Sequence, residues 1–308
     1  MARPGAPLRG TGGLTATLDA LVARCDLPGP GAPVTCAVSG GPDSLALLAL
    51  AVHAGCRVTA VHVDHGLRPG SAAEADVVRA AAERFGAGFR AEVVAVAPGP
   101  NVEARARAAR YAVLPPDVLT GHTADDQAET VLLNLVRGAG LDGLAGMGPA
   151  RRPLRRLRRR ETVALCAELG LCPVVDQTNA DPAFRRNRVR HELIPLLAAI
   201  AARDVVPVLA RQADLVRDDA ALLDELAGAI DPTDAVALAA APAPLARRAV
   251  RRWLRHAGPG GPERYVPDAA ATERVLAVAR GDAVACEVAG GWRVARRASR
   301  LRLEAPGR

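Results

Sequence analysis

Residues 31–200 predict an α/β domain built on a parallel sheet, and residues 201–308 a smaller, mainly helical domain that closes in a short antiparallel meander. Three observations carry this. Strand-like apolar runs alternate with helix-patterned runs at short spacing, a glycine-rich turn follows the first strand, and beyond Pro195 the pattern turns helical until a few alternating runs close the chain. Residues 1–30 read as a flexible arm and a short helix, because Met1 to Gly13 is rich in Gly, Pro and Arg.

The first strand, Val34 to Val38, feeds directly into Ser39-Gly40-Gly41-Pro42-Asp43-Ser44, and a helix follows over Leu45 to Val52. Paired glycines let the backbone come close to a bulky anion, and Pro42 suits a first helical position, where no N–H is missed. Free N–H groups and the helix dipole then favour phosphate. The turn lacks the lysine of a Walker-A loop and the spacing of a dinucleotide loop, which excludes those two modes of nucleotide binding. Next come a strand over Arg57 to Val63, a helix from Ser71 to about Phe85, a strand over Phe89 to Val96, a helix over Asn101 to Leu114 and a strand over Asp117 to Gly121. Such alternation predicts helices on both faces and ligands at the carboxyl ends of the strands.

Three loops should therefore converge: the phosphate turn, His62 to Arg68, and Gly121 to Thr130. In the last, Thr123 can cap a helix and Asp126 and Glu129, three apart, share a face near its start, placed to receive a cation. His62, His65 and His122 lack the close paired spacing of a metal site and suit hydrogen bonding or stacking on a ligand. In the second domain, helices are expected over Val205 to Leu226, Pro244 to Arg255 and Ala270 to Ala279, and strands at Ala283 to Val288, Trp292 to Val294 and Leu301 to Leu303.

Aromatics make up 2% of the chain, so small aliphatic residues must fill its interior. All 40 basic residues are arginine and the formal net charge is +7. Between Arg151 and Arg190, eleven arginines face Glu161, Glu168, Asp176 and Asp181, a surplus of seven that equals the charge of the whole chain. Basicity this local points to a polyanion, and Phe184 adds a ring able to stack on a base. The six cysteines form no Cys-x-x-Cys pair, which reads as free thiols in a reducing compartment and against a zinc ribbon. No signal-like segment or bilayer-length apolar run is apparent, so the expectation is a cytoplasmic protein without a membrane partner.

The turn resembles the Ser-Gly-Gly-x-Asp-Ser signature of the PP-loop ATP pyrophosphatases, with their adenine nucleotide α-hydrolase-like fold. Seven ordered blocks resemble one branch of them, the tRNA(Ile)-lysidine synthetases: SGGPDS (39–44), HVDHGLR (62–68), NVEARARAARY (101–111), TGHTADDQAET (120–130), RGAGLDGLAGM (137–147), RPL followed by RRET (152–162), and DQTNADPAFRRNRVRHELIPLL (176–197). The resemblance implies ATP-dependent ligation of free L-lysine to C2 of the wobble cytidine in CAU-anticodon isoleucine tRNA, by way of an adenylated base. It implies ATP contacts from Ser39, Gly40, Gly41, Pro42, Asp43, Ser44, His62, His65, Gly121 and His122, with Asp43 assisting Mg²⁺. Asp126 and Glu129 correspond to the acids that hold lysine and, with Asp43, to the catalytic set, while Arg105, Arg152, Arg185, Arg186, Arg188 and Arg190 would contact tRNA. It leaves the oligomeric state open, a homodimer included.

One departure from the family is a shorter stretch between Tyr111 and Asp117, interrupted by Pro115-Pro116, which predicts a short helix there. Two other readings compete: a PP-loop tRNA thiolase, which would need reactive or cluster-binding cysteines, and a catalytically inactive RNA-binding homologue.

Overall fold

The computed structural model describes residues 12–64, 66, 71–95, 99, 102–174, 178, 181–257 and 267–306. His65 and Asp176, both singled out from sequence, lie outside these. The chain forms two compact units, 1–214 and 215–308, so their division falls inside one long helix.

The first unit opens with α1 (Gly12–Val22) and β1 (Pro33–Ala37), followed by α2 (Pro42–His53), β2 (Arg57–Asp64), α3 (Ser71–Arg84), β3 (Gly88–Val93), α4 (Val102–Val113) and β4 (Leu119–Thr120). The strands make one parallel sheet in the order β3-β2-β1-β4. The chain thus moves outward from β1 to β3 and then returns to the other side of β1. That reversal opens a crevice at the carboxyl ends of β1 and β4, where ligands of open α/β sheets bind.

The predicted strands are all present, with altered ends. β3 stops at Val93 rather than Val96 because β2 ends at its partner, Asp64. β4 is two residues long instead of five. The chain is still turning at Val118, whose N–H donates to Pro115 O at 3.1 Å, and Thr120 N–H donates to Arg151 O at 2.8 Å in place of another strand. The expected short helix is α4, which ends just before Pro115-Pro116.

α2 anchors the unit. Every residue from Leu45 to Val52 is at most 1% exposed, so this helix is apolar all round and packed on all sides. Leu18 of α1, Cys36 of β1, Val58 of β2, Phe85 and Leu165 join the same core.

α5 (Ala124–Val136) follows β4, then α6 (Leu141–Leu144) and α7 (Arg159–Glu168). Farther on, α8 (Arg185–Arg188) runs through a π turn (Val189–Leu193) into α9 (Ile194–Ala201), and then comes α10 (Val206–Gly228). Among the described residues no single helix is long and apolar enough to cross a membrane.

In the second unit α11 (Ala235–Ala240), α12 (Ala243–Ala257) and α13 (Ala269–Arg280) precede an antiparallel sheet, β5-β6-β7, formed by Ala285–Glu287, Arg293–Arg297 and Arg300–Glu304. Leu238, Val250, Leu254, Val275, Leu276, Val294 and Leu301 form its core. The helical domain and closing meander expected from sequence are both present.

Leu48 is fully buried at the centre of α2. Leu48→Ala should therefore cost about 2–5 kcal/mol, read as a lowered denaturation midpoint in urea with an unchanged slope.

Candidate active site

The turn after β1 is held from within. Gly40 takes φ +85°, where an added Cβ would lie 2.9 Å from Val174. Ser39 N–H donates to Ser44 Oγ at 3.1 Å, and Ser44 Oγ donates to Gly41 O at 2.9 Å. Gly41 caps α2, Pro42 sits in its first turn, and Asp43 follows at the dipole's positive end. Gly121, just past β4, presses on this turn so closely that a Cβ there would lie 2.6 Å from Asp43 O. The Ser39–Ser44 turn and the Gly121 loop are thus two walls of one crevice.

On the Gly121 side, Thr123 and Asp126 form a capping box at the start of α5. Thr123 N–H and Oγ1 donate to Asp126 Oδ2 at 2.8 and 3.0 Å. Asp126 and Glu129 then point together into the crevice from the first turns of α5, Glu129 with no exposure at all.

The structure joins these acids to Asp43 through a residue that composition had grouped with the basic stretch. The guanidinium of Arg159, on the first turn of α7, donates to three carboxylates: from Nε to Asp43 Oδ2 at 3.2 Å, from Nη2 to Asp126 Oδ1 at 2.8 Å and from Nη1 to Glu129 Oε1 at 3.2 Å. Thr162, one turn on and fully buried, donates its hydroxyl to Asp43 Oδ1. Only the helical spacing of Arg159 and Thr162 in RRET could have flagged this pair in the sequence, and it is a weak signal inside so basic a run.

Two more guanidiniums reach the acids. Arg186 donates from Nε to Glu129 Oε2 at 2.6 Å and from Nη2 to Asp126 Oδ1 at 3.0 Å. Arg190 donates from Nε to Glu129 Oε1 at 2.7 Å and from Nη2 to Glu129 Oε2 at 3.2 Å. Arg186 and Arg190 are four apart, so one helical face presents both. The resemblance assigned these two to tRNA; here they are paired inside the crevice.

The other candidates spread more widely. Arg185 is exposed, and Arg188 pairs with Glu192 at 2.9 Å on the outer face. Arg105 donates to Gly99 O, and Arg152 Nη1 to Gly148 O at 3.1 Å. His62 is buried on β2, with Nδ1 3.0 Å from Val38 O. The basic stretch is in large part turned inward. Arg155 pairs with Asp214 at 2.5 Å, and Arg158 with Asp125 at 3.0 Å and with Asp204.

Charge follows from these contacts. Burial pushes the Asp43 carboxyl above its ordinary range, and Arg159 and Thr162 only partly oppose this. Burial acts on Asp126 in the same direction, but Arg159 and Arg186 outweigh it and hold the group below its ordinary value. His122, 2.7 Å from Thr120 Oγ1, is pushed down to about 4, first by burial and then by Arg152, Arg186 and Arg107, with Asp126 opposing. Its imidazole is neutral at pH 7.

Residues 18–197 match the PP-loop domain family and residues 234–302 the TilS substrate binding domain. A tRNA(Ile)-lysidine synthase of Nocardia farcinica is 46% identical over 255 residues, covering 77% of this chain and 80% of that one. The chain belongs to the tRNA(Ile)-lysidine synthase family. Its likeness to the Salinispora tropica enzyme of that name extends over 92% of this chain and 94% of the relative, at 43% identity. Among solved structures, a U34-tRNA thiolase from Methanococcus maripaludis superposes with a TM-score of 0.51 at 17% identity, covering 67% of this chain and 79% of that one, a likeness of fold. Lysidine synthases thus match this chain across both units.

Asp125 supplies a pH-dependent tie between α5 and α7, since it accepts from Arg158 and from the Arg159 N–H, at 2.7 Å for the latter. Burial raises its pKa, but these bonds prevail and hold it below the usual 3.8. A carboxylate depressed in this way stabilises the fold above its unfolded pKa and loses that contribution as pH falls through its folded pKa. Asp125→Asn should therefore cost about 1.5–3 kcal/mol near pH 7, and the gap to wild type should close below about pH 4 in chemical denaturation. By NMR, the His122 ring should stay neutral from pH 8 down to about 5.

Proposed function

We propose that this chain ligates free L-lysine to C2 of the wobble cytidine in CAU-anticodon isoleucine tRNA, forming lysidine at the expense of ATP, which becomes AMP and pyrophosphate. The observation that carries this reading is the meeting, at one crevice of a lysidine synthase fold, of a phosphate-binding turn and a buried pair of carboxylates bridged by Arg159.

The chemistry needs both halves. A ring C2 oxygen leaves poorly, so it first attacks the α-phosphorus of ATP and expels pyrophosphate; the lysine amine then adds at C2, and AMP departs with that oxygen. Ser39, Gly40, Gly41 and Ser44 frame the phosphates at the start of α2, where backbone N–H groups and the dipole oppose their charge. Asp43, whose two oxygens each accept one hydrogen bond, from Arg159 and from Thr162, offers the hard carboxylate oxygens that suit Mg²⁺ bound alongside ATP phosphates, and bound there the ion would neutralise charge on the leaving pyrophosphate. Asp126 and Glu129 hold the amino acid's ammonium, and Arg185 with its exposed neighbours meets the RNA backbone. The amine must lose a proton before it attacks, because only its neutral form carries a free electron pair.

Cys36 and Cys166, both beside the Ser39–Ser44 turn, do not favour a thiolase. Cys36 is buried in β1 and burial raises its thiol, while Cys166, against Pro42 O, is pushed up to about 11. Both are protonated at neutral pH and poor nucleophiles.

With ATP, Mg²⁺ and isotopically labelled lysine, the protein should label CAU-anticodon isoleucine tRNA, and labelled ornithine should not replace lysine. AMP formed without label would assign another nucleophile. Glu129→Gln should raise the lysine KM about tenfold to a hundredfold and leave the ATP KM far less affected, in steady-state kinetics.

A further inference from the structure

The two acids proposed to receive lysine have no acceptor position left to offer it. A carboxylate has about four lone-pair sites. On Glu129, Oε1 accepts from Arg159 at 3.2 Å and Arg190 at 2.7 Å, and Oε2 from Arg186 at 2.6 Å and Arg190 at 3.2 Å. On Asp126, Oδ1 accepts from Arg159 at 2.8 Å and Arg186 at 3.0 Å, and Oδ2 from Thr123 N–H and Oγ1 at 2.8 and 3.0 Å. Lysine can reach either acid only if a guanidinium leaves.

Which one can leave is a matter of position. Arg159 is fastened to Asp43 as well and sits on α7, whose Leu165 and Cys166 are buried in the core. Arg190 makes both its bonds to Glu129 alone, and its side chain is 22% exposed. Arg186 bridges the two acids and has the most exposed side chain of the three, at 35%. It also lies between two residues that already face outward, Arg185 and, one residue further on, Arg188. Its short helix passes directly into a π turn, a helical form of poor intrinsic stability that is frequent at functional sites.

We infer that Arg186 is a stand-in for the lysine ammonium, and that an RNA backbone phosphate draws it out of the crevice so that lysine enters only after tRNA has docked. The inference rests on the lysine ligation proposed above. Its physics is an exchange of one cation for another at a buried anion, with the RNA phosphate as the new partner of the displaced guanidinium. The tethered guanidinium competes as if present at millimolar concentration or above, and its fork satisfies two carboxylates at once, so free lysine displaces it poorly unaided. Arg159 and Arg190 stay on Glu129 throughout, and the incoming ammonium takes over the positions on Glu129 Oε2 and Asp126 Oδ1 that Arg186 gives up, so the buried acids keep their full set of donors. Since coupling between two ligands is reciprocal, lysine must in turn tighten tRNA binding by the same factor.

The test is equilibrium dialysis of labelled lysine against the full chain without ATP, so that nothing turns over, with and without CAU-anticodon isoleucine tRNA. Wild type should bind lysine about tenfold or more tightly when the tRNA is present. Arg186→Ala should bind lysine without RNA nearly as well as wild type does with it, and added tRNA should then improve its affinity less than about threefold. Arg186→Lys, which keeps the charge but loses the fork, should fall between the two. Equal lysine affinity of wild type with and without tRNA overturns the inference, and that comparison needs no variant to fold. So does an Arg186→Ala protein, folded by circular dichroism, whose RNA-free lysine affinity equals that of wild type. In either case, incorporation of labelled lysine by wild type with ATP would leave the ligase assignment standing. Absence of lysine binding in every arm, together with absence of incorporation, would remove both.

Discussion

A buried carboxylate has to be paired with a cation or give up its charge, and in this protein that constraint organises the crevice. Asp43, Asp126 and Glu129 come from two helices that begin at the carboxyl ends of β1 and β4, and the reversal of strand order brings those ends together. Left alone, three carboxylates at one place would repel and protonate. Arg159, Arg186 and Arg190 balance them charge for charge, and Arg159 touches all three. An arginine suits this better than a lysine would, since its planar fork can serve several acceptors at fixed angles and stays charged throughout the accessible pH range.

The same pairing changes the meaning of the chain's basicity. The surplus between Arg151 and Arg190 reads as a surface for a polyanion, yet Arg155, Arg158, Arg159, Arg186 and Arg190 spend their charge on acids within the first unit. The outward remainder, with Arg185 and Arg160 among the exposed side chains, is smaller than the count suggests. The internal guanidiniums fix the position and balance the charge of the acids.

Rigidity underneath makes such a charged crevice tolerable. α2 is enclosed by apolar residues, every one from Leu45 to Val52 being buried, and its first turn carries Asp43 and follows directly on the Gly40-Gly41 turn. Gly121 lies against the backbone of Asp43 and Ser44, so the two walls of the crevice are set by direct contact between main chains. The charged groups of the crevice stand on the first turns of α2, α5 and α7, and apolar packing beneath holds those helices in place.

Local rules were enough to determine much of this protein from its sequence. The alternation of strand and helix, the Gly-Gly turn ahead of Pro42, the Thr123 cap and the helical stop before Pro115 depend on residues a few places apart, and each is found in the structure. The three-residue spacing of Asp126 and Glu129 by itself places both on one face of α5. What only the tertiary structure decided is which opposite charges meet. Arg159 lies 116 residues from Asp43, and Arg190 lies 61 from Glu129. Nothing local distinguishes these arginines from Arg156 or Arg185 beside them, because whether a guanidinium faces water or a buried acid is settled by how α7 and α8 pack across the sheet's open end, and by the high free-energy cost of leaving a carboxylate there unpaired.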